Sequence, residues 1–214
     1  EEDWATSWQK YYQPIPVGKR IYIVPDWMRG RPVPEGRTPL YLNPGLTFGT
    51  GSHPTTQLCL ELLEGTLRPG DRVLDLGCGS GILAIAALAL GASRAAGVDI
   101  DPKAADVAFE NAALNGIGPD RLSVYAGDVL TDKRLAGRLN PGQNRVVLAN
   151  IVADVIIPLS ARAGDFLAPD GVFLTSGIIE GRQDEVRAAL EGNGFAVTGH
   201  RERGGWHAFL AAKP

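Results

Sequence analysis

The chain has 214 residues, 44% of them hydrophobic, with a formal net charge of −3 and two cysteines. That length and apolar content suit one large domain, or a domain with an extension, around a sizeable core. The charge excludes a broad basic field for nucleic acid, and no apolar run reaches the length of a membrane span. Cys59 and Cys78 read as reduced thiols of a cytoplasmic protein rather than a disulfide framework, and Glu1-Glu2-Asp3 has no signal-peptide pattern.

Trp4, Trp8 and Tyr11 follow i, i+4, i+7 and predict a helix over 2–12, ended by Pro14 and Pro16. Lys19 to Val24 reads as a strand that Leu40 to Leu42 can pair with, and Asp26 to Pro39 between them reads as loop. The stretch 43–56 is too rich in glycine and threonine for a helix or strand interior. Ser52 is expected to cap a helix from about His53 to Glu64, with Pro54 in its first turn and Leu58, Leu62 and Leu63 buried. The loop carries Phe48, His53 and Thr56 and makes a candidate mobile lid over a ligand. From the residues alone, His53 reads as a surface or capping residue.

Beyond Arg72 the periodicity is βα repeated. Strands are predicted at 72–76, 94–99, 121–126, 145–150 and 171–175, with helices at 81–90, 102–115, 151–166 and 182–191. Asp101 is expected to cap the second of these helices, with Pro102 at its first position. Phe195 to Arg201 and Trp206 to Ala211 form a hairpin across Gly204-Gly205. The fold class is therefore α/β: a mostly parallel, seven-stranded sheet with helices on both faces and an antiparallel edge hairpin. Residues 1–65 form the helix, small strands and lid loop packed on a sheet domain at 66–214.

The strand Val73 to Leu76 runs into Gly77, Gly79 and Gly81, and an apolar helix follows at once. Such a turn places backbone amides around a bound nucleotide. A dinucleotide fingerprint would need its third glycine at position 82, which is Ile82, and no G-K-[ST] of a P-loop is present. Ligands of open parallel sheets bind outside the carboxyl ends of the strands. The second strand ends in Asp99, 22 residues after Gly77, where a carboxylate can accept both ribose hydroxyls. The third ends in Asp128 and the fourth in Asn150, which also suits the N-cap of 151–166.

Asp75-Leu76-Gly77-Cys78-Gly79-Ser80-Gly81 resembles the first motif of class I methyltransferases that use S-adenosyl-L-methionine (SAM). The resemblance implies a Rossmann-like fold in which Asp75 and the glycine backbone hold the methionine half of SAM. It places Asp128 near the adenine edge, although Asp128 equally suits a cap on the following turn. Asn150 falls beside the reactive sulfur, where its amide oxygen can accept N–H bonds and aim an amine lone pair at the methyl. Many N-methyltransferases follow this residue with Pro-Pro-aromatic. Here Ile151-Val152-Ala153 follows.

The run Asn43-Pro44-Gly45-Leu46-Thr47-Phe48-Gly49-Thr50-Gly51-Ser52-His53-Pro54-Thr55-Thr56 narrows the resemblance, together with Val98-Asp99-Ile100-Asp101-Pro102 and Ala149-Asn150-Ile151. With the aromatic opening helix and Ile21 to Trp27, the whole chain is similar to the ribosomal protein L-eleven methyltransferase family. That resemblance implies SAM-dependent trimethylation of lysine side chains and of the N-terminal amine on a large-subunit ribosomal protein, releasing S-adenosyl-L-homocysteine. Asn150 would be the catalytic residue. Phe48, Thr56, Gly77, Gly79, Asp99 and Asn150 would contact the cofactor, with Phe48 and His53 in the loop near the methyl. No metal, nucleic-acid or membrane partner is implied. Family members also carry a small N-terminal docking domain, and this chain begins at what would be the connecting helix. Two alternatives are an N-methyltransferase of another protein, such as a release factor, and a nucleotide-binding oxidoreductase or non-catalytic domain. The absent Pro-Pro-aromatic argues against the first.

Overall fold

A computed structural model describes Gln9, residues 12–44 and residues 50–213. Most of the helix expected over 2–12 therefore lies outside the described residues, as does 45–49 with Phe48.

Three short strands come first: β1 (Ile15–Val17), β2 (Ile21–Pro25) and β3 (Thr38–Leu42). β1 runs antiparallel to β2, and β3 runs parallel to it with Ile23 opposite Leu40. A parallel pair needs a crossover. Asp26 to Pro39 supplies it, starting with a 3-10 turn at Asp26–Met28 and ending inside β3. Ile21, Ile23, Leu40 and Leu42 are buried in the same apolar cluster as α1 (Pro54–Thr66) and α2 (Ile82–Ala89), so the small sheet shares its core with the helices that cover the main sheet.

The main sheet contains β4 (Arg72–Leu76), β5 (Arg94–Asp99), β6 (Leu122–Ala126), β7 (Asn144–Asn150), β8 (Leu167–Ile179), β9 (Ala196–Arg203) and β10 (Trp206–Ala212). Its spatial order is β6-β5-β4-β7-β8-β10-β9. The hairpin forms one edge as expected, but the antiparallel strand, β10, is inserted between β8 and β9. α3 (Lys103–Leu114), α4 (Lys133–Arg138), α5 (Ala153–Phe166) and α6 (Gln183–Gly192) complete the chain. Two buried clusters flank the sheet: α1 and α2 cover one face, and α4, α5 and α6 cover the other.

Several local expectations change. α1 is capped by His53 and not by Ser52, because His53 Nδ1 accepts the Thr55 N–H at 3.3 Å. The expected helix over 151–166 begins at Ala153 with Val152 at its N-cap, so Asn150 does not cap it. Asp101 accepts the Lys103 N–H at 2.9 Å, but α3 begins at Lys103 with Pro102 at its N-cap and not at its first position. α4 was not foreseen; Asp132 caps it by accepting from the Arg134 and Leu135 amides. β8 starts before its expected position, and the span from Leu167 to Val172 faces only Asn144 to Val146 on β7. The Pro-Asp-Gly inside this span makes a bulge, where turn residues are tolerated.

Two asparagines dock the small sheet onto the main one. β3 is an edge strand, so one side of its backbone lacks a strand partner. Asn115 replaces that partner: its Oδ1 accepts the Tyr41 N–H at 2.9 Å and its Nδ2 donates to the Tyr41 carbonyl at 2.7 Å. Fully buried Asn111 accepts the Asn43 N–H at 3.0 Å and donates to the Ser80 carbonyl at 3.0 Å. Asn111→Ala strands both groups and is expected to cost about 2–3 kcal/mol in urea unfolding. A loss below about 0.5 kcal/mol would mean that water replaces both bonds.

Candidate functional site

A cavity of about 350 Å³ opens at the carboxyl ends of β4, β5 and β7. Thr56, Gly77, Gly79, Asp99 and Asn150 all line it, so five residues from four separate segments converge there. Phe48 lies outside the described residues. The rest of the lining is mostly apolar, with Leu76, Ile82, Val98, Val129, Leu130, Val155 and Leu159 among the side chains.

The glycine turn is built differently from a phosphate cradle. The Gly77 and Cys78 amides donate to the Val98 carbonyl at 2.7 and 3.0 Å. The Gly79 amide donates to Asp99 Oδ2 at 2.8 Å. Three amides expected to face a ligand are thus occupied by the end of β5. Asp99 Oδ1 in turn accepts the Asp101 N–H at 2.9 Å. Two backbone donors fix this carboxylate, and a carboxylate has about four acceptor positions, so about two remain for hydroxyl groups in the cavity.

Asn150 is half-buried at the end of β7. Its Nδ2 donates to Thr56 Oγ1 at 3.3 Å, across 94 residues of chain. The donor end of the amide is therefore turned toward α1, and Oδ1 makes no hydrogen bond among the described residues. Ile151 follows and is wedged in place. A Cβ on Gly77 would sit 2.5 Å from Ile151 Cγ2, and one on Gly177 would sit 2.4 Å from the Ile151 carbonyl oxygen. Both glycines have positive φ, 76° and 87°. The Ile151 amide donates to the Ser176 carbonyl at 3.1 Å, which completes the clamp.

Asp75, which the resemblance assigns to the methionine half of SAM, does not line the cavity; its carboxyl is buried, and the Ala84 amide points toward it without meeting full hydrogen-bond geometry. Burial pushes its pKa up to about 7; the Ala84 amide offsets part of the rise and Asp99 adds to it. Burial likewise pushes the Cys59 thiol up, with the Asp75 charge adding to the effect. Asp128 lines the cavity and also closes its own turn, accepting the Leu130 N–H at 2.9 Å and the Thr131 hydroxyl at 3.1 Å. The turn-capping reading of Asp128 thus holds, and its place in the lining leaves the adenine-edge reading open to test. His53 is not in the lining; it caps α1 and packs edge-on against Trp206, with ring centroids 4.9 Å apart. Gly51, in the loop before α1, is buried against Ile23.

Sequence reasoning missed Ile100 and Gly177. Ile100 is an apolar residue between Asp99 and Asp101, 78% exposed, and lines the cavity. An isolated large aliphatic at a strand's carboxyl end was the available signal. Gly177 carried none, because its partner, Ile151, comes from a different strand end.

Asp75 yields a pH test. The folded carboxyl holds its proton more tightly than an unfolded one, whose pKa is about 3.9. The associated stability is intact below that value and is lost as pH rises through about 7. Asp75→Asn cannot ionise. Between about pH 5 and 8.5 its stability relative to the parent should shift in its favour by about 2–3 kcal/mol in chemical denaturation. A difference that does not change with pH would rule out an uncompensated buried carboxyl.

A seven-stranded sheet with this order, an inserted antiparallel strand and a glycine turn facing a strand-end carboxylate defines the class I methyltransferase fold. The family model for ribosomal protein L11 methyltransferase (PrmA) matches residues 1–214, and the chain belongs to that family. It is 43% identical over 210 residues to the ribosomal protein L11 methyltransferase of Desulforamulus reducens, covering 98% of this chain and 65% of that protein. It is 46% identical over 211 residues to that of Pelotomaculum thermopropionicum, covering 99% and 66%. The chain thus spans just under two thirds of these relatives' length. Among solved structures, the ribosomal protein L11 methylase of Lactobacillus delbrueckii subsp. bulgaricus superposes with a TM-score of 0.84 at 33% identity, over 95% of this chain and 100% of that one. An RNA methyltransferase from Salinibacter ruber in complex with S-adenosyl-L-homocysteine shares the fold, with a TM-score of 0.55 at 22% identity over 73% and 88% of the two chains.

Proposed function

We propose that the chain is the SAM-binding part of a cytoplasmic N-methyltransferase whose substrate is ribosomal protein L11. In this reading residues 66–214 hold the cofactor and residues 1–65 pack on them and cover it. One observation carries the choice of ligand: three of the turn's amides, those of Gly77, Cys78 and Gly79, are occupied by Val98 and Asp99. A pyrophosphate draws on unpaired amides. An adenosine joined to a sulfonium needs fewer of them, and this favours SAM over a dinucleotide.

The residues fit SAM by chemistry and by size. A volume of about 350 Å³ falls in the range of small-molecule sites. Asp99 offers its remaining lone pairs to the ribose hydroxyls. Ile100, Val129 and Leu130 supply apolar surface for a purine, and Asp128 stands at the third strand end for the adenine edge. Thr56, Gly77 and Gly79 line the remainder, and Phe48 joins them by its place in the family motif.

The bound sulfonium supplies a methyl group that is already activated. The chain therefore has to position a neutral nitrogen. Asn150 suits this role: its Nδ2 is held by Thr56, and Oδ1 can accept an N–H from the incoming amine. No lysine, histidine or glutamate lines the cavity among the described residues. A lysine amine has a pKa near ~10.4 and would lose its proton to solvent before it attacks. Accepting one N–H leaves the lone pair to point at the methyl. An amide that holds nitrogen without holding charge suits repeated transfers, so lysine side chains and the N-terminal amine carried through to the trimethyl state are the proposed products.

Asp99→Ala should weaken SAM binding by about 2–4 kcal/mol in calorimetry, since it removes a charged acceptor. Unchanged affinity would displace the ribose site from β5. Asn150→Ala should lower the single-turnover methylation rate of L11 more than it lowers SAM affinity, because alignment matters most in the transition state. Asn150→Asp is the sharper variant: a carboxylate would hold the amine as ammonium, which has no lone pair. Wild-type turnover by the Asp variant would remove Asn150 from the chemistry.

A further inference from the structure

A second cavity, of about 310 Å³, lies at the other end of the main sheet, beside the first residues of β4, β5 and β7. Unlike the first, it is lined mainly by polar groups. Arg72, Arg94, Arg121 and Arg138 are among its lining residues, with a single carboxylate, Asp120. Among the described residues, none of these arginines forms an ion pair. This is a local excess of positive charge in a chain whose net charge is −3.

The arrangement is costly unless something negative enters it. Arg72 and Arg94 are register partners on adjacent parallel strands, and like charges placed opposite each other destabilise a sheet. Two of the arginines are held in place by the fold. Arg121 donates to the Leu88 and Ala92 carbonyls at 3.1 and 2.9 Å, and the Arg138 guanidinium lies over the Tyr125 ring at 4.5 Å. Arg72 reaches only the neutral Gln143 Oε1, at 3.5 Å, and the exposed Arg94 side chain has no hydrogen-bond partner among the described residues. A guanidinium is a planar fork that matches phosphate oxygens and stays charged at any physiological pH.

We infer that this cavity binds a small phosphate-bearing anion of pyrophosphate or mononucleotide size, held chiefly by Arg72 and Arg94. The pocket is open to solvent, and its volume of about 310 Å³ matches a small anion better than the backbone of a long nucleic acid. A sulfonium cation would be repelled, so the site is distinct from the one at the carboxyl strand ends. Five- and six-residue strands lie between Arg72 and Arg94 and the first cavity's Gly77 and Asp99, which separates these groups by roughly 15–20 Å, although the two linings approach each other at Ala96 and Val98. Both ligands can therefore be bound at once, and the inference does not depend on the proposed methyl transfer.

Pyrophosphate is the probe. Titrated into the 214-residue chain at low ionic strength, it should shift the backbone amide resonances of Arg72, Arg94 and Ser123 while those of Gly79 and Asp99 stay in place. Arg94→Gln, at an exposed side chain, should weaken binding about tenfold with an unchanged melting temperature. Arg72→Gln together with Arg94→Gln should abolish it. A short RNA duplex in a parallel titration separates the two phosphate sources. RNA binding without pyrophosphate binding overturns the inference. So does the absence of shifts at about 10 mM pyrophosphate, or an Arg94→Gln affinity equal to the parent's.

Discussion

The candidate site depends on the close approach of three strand ends around Ile151. Gly77 at the end of β4 and Gly177 within β8 press on this residue from two sides, and neither position has room for a Cβ. Both also need φ in the left-handed region, where side chains other than glycine are strained. Ile151 is thereby fixed, and Asn150, one residue earlier, is fixed with it. A Pro-Pro pair would give the chain after Asn150 rigidity through its own rings. Here the rigidity comes from packing: a bulky aliphatic residue between two glycines, plus the bond from its amide to Ser176.

That packing also explains why the site is assembled from distant parts of the chain. Once β7 is fixed against β4, the Asn150 amide can meet Thr56 in the first turn of α1, and α1 is itself started by the His53 cap. On the other side, Asn111 connects the Ser80 carbonyl in the glycine turn to the Asn43 amide just after β3. The glycine turn, the small sheet and α3 are then mechanically linked through one buried side chain. Buried amides of this kind act as connectors because each can both donate and accept, and leaving either half unpaired is costly.

The main strands and helices were legible because each is a long apolar or periodic run bounded by glycine, aspartate or proline. Asp99 was legible for the same reason, as the polar residue ending an apolar strand. What escaped was short or non-local. β1 has three residues, one of them Pro16, and α4 has six residues including Gly137, too few to establish a period. The His53 cap missed its expected position by one residue, which is within the uncertainty of any helix end. Asp75 could be placed on a strand but not away from the cavity lining. A motif states that an acid precedes the glycines, and only the packed structure states which side of the sheet its carboxyl faces. The bond between Asn150 and Thr56 and the wedge of Ile151 join residues far apart in sequence and leave no local trace.

The two cavities show how one sheet can offer opposite charge at its two ends. Parallel strands carry little net dipole of their own, so the polarity comes from side chains at the termini. At the carboxyl ends stand Asp99 and Asp128, each oriented by backbone amides. At the amino ends stand Arg72 and Arg94, side by side and without carboxylate partners among the described residues. A ligand with a positive sulfur and neutral hydroxyls is matched by the first set and repelled by the second; a phosphate behaves in the reverse way. The glycine turn reinforces this sorting. The Gly77, Cys78 and Gly79 amides already point at Val98 and Asp99, so the turn itself offers an anion fewer donors. Specificity at each end thus comes as much from what the fold has already paired as from what it leaves available.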